Sequence, residues 1–363
     1  MLQENCRLHV YIEVGTCVRR SLAITAFLII AAPLASADAL QAGAAQSVIT
    51  PELLKSHAAY LAGFGHNRVA TAVHDDLYVR CLALGIATQT LVICAADLIG
   101  LFYDDVLTIR RAFQQKMPSA AFLVVASTHT HAGPDTLGLY SPKPLQTGID
   151  EKYLEWVDQR IASTAAAVHV MQLALVELGR DDHPLLGLLQ GVDRPPLVKD
   201  PFLFVMRLVA RSTGQTIATV LNWSDHPEVL GRSNTQITSD YPHWLRAYLE
   251  KQLGGTALFF SGSIGKVSPL GDQVSLLDPE TGKIAEDGTW RKAELLWTEI
   301  GRLAERALKS AKQVNFDSLS IQSEIVFVPM HNTHFRTAHA VGVFAGRKPL
   351  YTNGQTRFSY RKP

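Results

Sequence analysis

Residues 121–136 read AFLVVASTHTHAGPDT, a continuous apolar run that breaks into a polar loop and a Gly-Pro turn. The run at 121–127 has strand length and reads as a strand buried on both faces. Residues 127–136 then sit at a strand's C-terminal end, where α/β sheets bind ligands. In extended chain His129 and His131 point the same way, because side chains alternate with period two. Two imidazoles on one face suit a metal, since zinc takes neutral imidazole nitrogen. A pair of hydrogen-bonded loop histidines reads equally well.

Working outward, 77–87 and 91–96 are apolar runs separated by Thr88-Gln89-Thr90, which predicts a hairpin. A helix follows from about Asp104, with Asp104 or Asp105 as cap; Val106, Ile109 and Phe113 lie on one face, and Pro118 stops it. A longer helix over 150–173 carries the stripe Leu154, Val157, Ile161, Thr164 and Val168. Strands at 202–210 and 216–223, a helix at 241–252 and a strand at 256–260 come next. A helix over 290–312 leads to a last strand at 319–328. Alternating elements with hairpin-like links predict the α/β class, a mixed β-sheet core flanked by α-helices. No internal repeat and no domain linker shows in the sequence.

The 363 residues are 47% apolar with a formal net charge of +1. No basic block interleaves with aromatics, so no nucleic-acid partner is expected. Arg19 and Arg20 precede the apolar run at 21–32, and Ala35-Ser36-Ala37 follows, the pattern of a cleaved secretory leader over 1–37. The run is shorter than the roughly 20 apolar residues of a membrane span. The expected location is secreted or periplasmic. Cleavage removes Cys6 and Cys17 and leaves Cys81 and Cys94, which could pair or remain free in a core.

Two further segments carry chemistry. In NWSDHPEVLG, 222–231, His226 precedes Pro227 and is held extended. Asp225 and Glu228 could orient its ring or help bind a cation. In SGSIGKVSPLG, 261–271, glycines and Ser268 follow a strand, and the loop's N–H groups could face a developing oxyanion. Each also reads as an ordinary strand-end loop. The Gly63-Phe64-Gly65-His66 and His74-Asp75-Asp76 segments, Asp97, and Ser239-Asp240 as a helix cap are weaker signals. His331, His334 and His339 cluster without the glutamate of an H-E-x-x-H motif.

Taken in order, Ile49-Thr50-Pro51, AGFGHN at 62–67, HDDLYVRCLAL at 74–84, AADLIG at 95–100, STHTHAGPDT, NWSDHPE, ITSDY at 237–241 and SGSIGKVSPLG resemble the N-terminal catalytic domain of neutral/alkaline non-lysosomal ceramidases. The similarity covers about 47–345. It implies an exported hydrolase that cleaves the N-acyl amide of ceramide-like lipids to a fatty acid and a sphingoid base. It also implies a Zn2+ cofactor, a lipid or other N-acyl substrate and peripheral membrane contact; no protein partner is identifiable. By the same resemblance His129 and His226 are metal ligands, His131 contacts substrate or water beside the metal, and Ser268 contributes to the site. Zinc would polarise the amide carbonyl and activate water, with Ser268 positioning substrate.

The family's G-D-V-S-P-N reads G-K-V-S-P-L here, placing Lys266 where an acid stands. The family's remaining ligands, a glutamate in P-G-E and a later tyrosine, have no counterpart. After Gly342-Val343-Phe344 the sequence runs into GRKPLYTNGQTRFSYRKP. The expected organisation is therefore an incomplete catalytic domain over 38–345 and an atypical tail over 346–363. Asp225 or Glu228 could stand in for the missing carboxylate. The alternatives are a non-catalytic truncated fragment of such an enzyme, or a hydrolase of another amide or an ester.

Overall fold

The computed structural model describes residues 39–53, 58–117, 121–192, 195–269, 274–324 and 331–343, with the backbone of two short strands beyond. The leader over 1–37 and its cysteines lie outside the described residues, as does most of the 346–363 tail.

The chain opens with β1 (Gln41–Val48), β2 (Ala72–Val73), β3 (Tyr78–Ile86), β4 (Gln89–Ala96), α1 (Tyr103–Lys116), β5 (Ala121–Ser127) and α2 (Glu151–Ala167). Then come β6 (Gln172–Asp181), α3 (Pro184–Leu188), β7 (Gln190–Val192), β8 (Leu203–Ala210), β9 (Thr216–Trp223), β10 (Gln236–Ile237), α4 (Tyr241–Leu253) and β11 (Thr256–Ser261). The remainder is β12 (Val267–Pro269), α5 (Trp290–Lys309), β13 (Lys312–Val314), α6 (Thr333–Ala340), β14 (Tyr351–Thr352) and β15 (Gln355–Thr356).

A nine-stranded mixed sheet runs β11-β9-β8-β6-β1-β3-β4-β5, with β13 beside β6. The β4–β5 and β9–β11 pairs are parallel, and each is bridged by a helix, α1 or α4. A short pairing of β1 with β6 joins the halves at the centre. Counting the main-sheet strands and the long helices packed on them, each half has one order: three strands, a helix, a strand, a helix, with α3 and the short strands β2, β7, β10 and β12 set apart. The sequence shows no repeat, but the topology does.

Side-chain alternation builds three cores. Val79, Cys81 and Ala83 of β3 face α1 and α2. Leu221 and Trp223 of β9, with Ala257 and Phe259 of β11, face α4 and α5. The opposite faces meet each other: Leu82 and Ile86 of β3 share a cluster with Leu208, Ala218 and Leu258. The sheet therefore curls until its ends touch, and Ser261 at the end of β11 donates to the Thr128 carbonyl at the end of β5, 2.7 Å away. That contact brings the strand-end loops of both halves to one place.

The hairpin of β3 and β4 closes through two residues, with Ile86 opposite Gln89 and Ala87 at φ 53°. Cys81 lies directly opposite Cys94, and the two form a disulfide. Several boundaries differ from the sequence reading. Phe102, not Asp104 or Asp105, is the cap of α1; Asp105 instead accepts the Phe102 N–H at 3.0 Å. The long helix stops at Ala167, and 172–181 forms β6, whose charged residues Glu177 and Arg180 hide its strand character. The stripe of α2 is buried as read, from Leu154 to Val168. β5 is an edge strand with Val124 partly exposed, so it is not buried on both faces. Helix α5 ends at Lys309, and the strand expected over 319–328 is absent from 319–324; the rest of that stretch lies outside the described residues.

Candidate metal centre

His129 and His131 follow β5, and His226 follows β9, so each half delivers imidazoles from a strand's C-terminal end. His129 sits in the left-handed region, φ 70°, a conformation that costs a non-glycine residue about 1 kcal/mol or more. Two bonds to the loop after β4 hold it there. Its N–H donates to the Leu98 carbonyl at 3.0 Å, and its ring Nδ1 lies 2.6 Å from the Ile99 carbonyl. The Nδ1 of His226 contacts the Val267 carbonyl. A carbonyl oxygen only accepts, so both rings carry their proton on Nδ1 and offer Nε2. His131 is fixed by its N–H to the Pro227 carbonyl at 2.9 Å and by an Arg68 guanidinium donating to its own carbonyl. Its Nδ1 lies 2.7 Å from Glu228 Oε2.

The ring centroids of the three histidines are 5.1, 5.1 and 5.4 Å apart. One nitrogen from each falls within 4.8 Å of the other two, a spacing that could hold a metal ion. Burial lowers the His129 pKa to about 4 and lowers that of His226 as well, so both are neutral donors at pH 7. Burial pushes Glu228 upward, but His131 and then the other two imidazoles outweigh it and hold the carboxylate below its ordinary value. Both ring nitrogens of His131 are buried without a hydrogen-bond partner among the described residues, Glu228 standing at ion-pair distance from Nδ1. Buried polar atoms rarely go unpaired, so this ring fits a place beside a cation.

Neither Asp225 nor Glu228 joins this ligand group. Asp225 is buried, which raises its pKa well above the usual range, and its Oδ1 accepts the His226 N–H at 2.9 Å. Ser268 lies on β12 opposite Gly191 and lines a cavity of about 460 Å³ with Phe64, Glu228, Leu230, Leu296 and Trp297. Lys266 is exposed and donates to the Pro195 carbonyl at 2.9 Å, so the departure from the family's acid falls outside the cavity lining. His334 and His339 lie on α6, and with His331 they stay apart from the cluster.

The weaker motifs form the frame behind the histidines. Arg246 of α4 holds Asp97 through two 2.9 Å bonds and donates to Ser239. Asp75 accepts from Ser239 N and Oγ at 3.0 Å and from the Thr238 hydroxyl. Asp240 caps α4, as read, at φ 62°. Gly63, unassigned from sequence, abuts the His131 ring so closely that a Cβ there would overlap it, and its φ of 105° also demands glycine. The A-G-F-G run was the signal for it; Arg68 had none.

A curled mixed sheet with histidines converging from both halves defines an α/β protein with a candidate metal centre. No protein-family model and no curated protein sequence matches the chain. Among solved structures, the neutral ceramidase from Pseudomonas aeruginosa is similar at a TM-score of 0.60 and 17% identity, over 75% of this chain and 45% of that one. A ceramidase complexed with C2 is similar at a TM-score of 0.60 and 18% identity, over 75% and 44%. The fold is thus that of the neutral ceramidases, as the sequence resemblance implied. The chain spans less than half the length of either of these solved chains.

Proposed function

We propose that the protein is a zinc-dependent hydrolase, working outside the cytoplasm, that cleaves the N-acyl amide of ceramide-like lipids. The observation that carries this reading is the convergence of His129 and His226, each with Nδ1 spent on a backbone carbonyl, at one point beside a cavity. The likeness to solved ceramidases supports the substrate class. Zinc held there would supply Lewis-acid polarisation of the scissile carbonyl and activation of water.

The chain's own groups do the rest. His129 and His226 would hold the cation, and His131 stands at the same point. Leu230, Leu296 and Trp297 give the cavity an apolar wall suited to hydrocarbon chain, with Ser268 at the wall to position the amide. The test uses protein recovered from the exported fraction, with its N-terminus at Asp38. Loaded with one equivalent of zinc, it should release fatty acid from ceramide in mixed micelles and stop on chelation. No release from any ceramide overturns the reading. Release only from other amides or from esters would keep the hydrolase and replace the substrate.

A further inference from the structure

We infer that Lys292 is an anion-binding residue of the cavity, so that the amide cleaved here carries a carboxylate or phosphate group on one of its halves. The inference rests on the reading of this cavity as the place where substrate binds, and it narrows a ceramide-like substrate to an acidic one.

Lys292 lies in the first turn of α5, and its side chain is 7% exposed. Among the described residues it is the one base on the cavity wall, and Glu228 is the one acid. Glu228 is turned to the histidines, 2.7 Å from His131 Nδ1. One cavity thus touches the candidate metal centre and a buried ammonium group. Lys292 and Leu296 are four residues apart and so share a face of α5, with Trp297 beside them on the wall. An amphiphile could lay its chain on Leu296 and Trp297 and its acid on Lys292.

Packing gives no reason for a lysine there. Lysine is almost never buried without a partner, and taking an ammonium out of water is costly. A cation in the first turn also faces the positive end of the helix dipole, and α5 has no acid in that turn to offset it. The neighbouring Arg291 shows the structural alternative, since Asp278, Glu280 and Glu294 all meet it. Lys292 has one described carboxylate, that of Asp287, whose side chain is 59% exposed. An ion pair with so exposed a partner is weak, and Asp287 returns to water at little cost when another anion arrives. Lys292 has no such exit. Asp287 therefore stands in for the anion that substrate brings.

The test reads binding rather than turnover, on the full chain, by calorimetric titration with decyl phosphate and with uncharged decyl glucoside below micelle formation. K292M should weaken decyl phosphate about 10–100-fold, the worth of a hydrogen bond to a charged group, and leave decyl glucoside as in wild type. K292R should keep the preference. D287N should tighten decyl phosphate by removing its competitor, which a merely structural lysine does not predict. Any zinc present is common to all variants, so their differences isolate Lys292. Equal weakening of both ligands in K292M, no weakening of decyl phosphate, or a D287N variant as weak as K292M overturns the inference.

Turnover then names the source of the anion. Zinc-loaded wild type should prefer ceramide 1-phosphate to ceramide for a lipid phosphate, or N-dodecanoylglycine to N-dodecanoylglycinamide for a carboxylate, and K292M should lose that preference. Faster cleavage of the neutral member of both pairs overturns the inference and keeps the hydrolase reading. No cleavage of any of the four removes the hydrolase reading, and the binding series still decides the anion site.

Discussion

In the first half of the sheet, β3 and β4 are tied covalently through Cys81 and Cys94, and their outer face packs mainly small and aliphatic residues against α1 and α2. In the second half, the same order of elements is held by aromatic rings. Tyr241 stacks on Trp297 at 4.4 Å between centroids, with Trp223 and Phe259 edge-on to Tyr241. Neither core reaches the histidines. What aligns them is the contact between halves: Asp97 with Arg246, Arg80 with Glu250, and Ser261 with the Thr128 carbonyl. The candidate centre therefore depends on how the halves meet more than on how either packs.

The hardest blow to that arrangement is R246M. The Arg246 and Asp97 side chains are 2% and 0% exposed. Removing one partner strands a buried charge, which costs about 3–5 kcal/mol. The free energy of denaturant unfolding should fall by that amount, and zinc affinity should fall with it; D97N/R246M should recover part of both. Unchanged zinc affinity in a destabilised R246M would mean that the halves are aligned by other contacts.

C81A/C94A probes one half alone. Opening a loop of this size removes about 3 kcal/mol on the chain-entropy account. Amide exchange should accelerate in β3 and β4 and stay unchanged in α4 and α5, with zinc affinity preserved below the melting range. Equal acceleration in both halves would show one cooperative unit and erase the distinction.

Much of this was legible because it is local. The β3–β4 hairpin, α4, β8, β9 and β11 follow from apolar runs bounded by turn residues, and His129 and His226 stand out at strand ends. β6 was missed because Gln172–Asp181 mixes charges with its apolar residues and follows α2 after four residues, so the helical stripe seemed to run on. The edge position of β5 was hidden because its residues are apolar throughout, and whether another strand pairs on its far side is a long-range matter with no mark in the strand itself. The contact of Glu228 with His131 joins two loops about a hundred residues apart at 2.7 Å, which spacing along one chain does not encode. The doubled topology was invisible because the halves fill equivalent layers with different residues.

The smallest expected effect tests whether α5 is held to the sheet by charge as well as by its aromatic face. Asp181, at the end of β6, accepts from Arg306 of α5 at 2.8 and 2.5 Å and from the His183 N–H at 2.8 Å. Burial raises the carboxyl's pKa, but the Arg306 and His183 donors outweigh it and the net shift is downward. A carboxylate depressed on folding contributes stability that is complete above its unfolded value of 3.8 and disappears as pH falls through the folded value. The stability gap between wild type and R306A should therefore be present near neutrality and close in the acid range below 3.8. Because Arg306 is half-exposed, salt should shrink the gap at every pH. A gap that persists in acid assigns it to lost packing of the arginine stem. No gap at any pH leaves α5 anchored by Trp297 and its apolar neighbours alone.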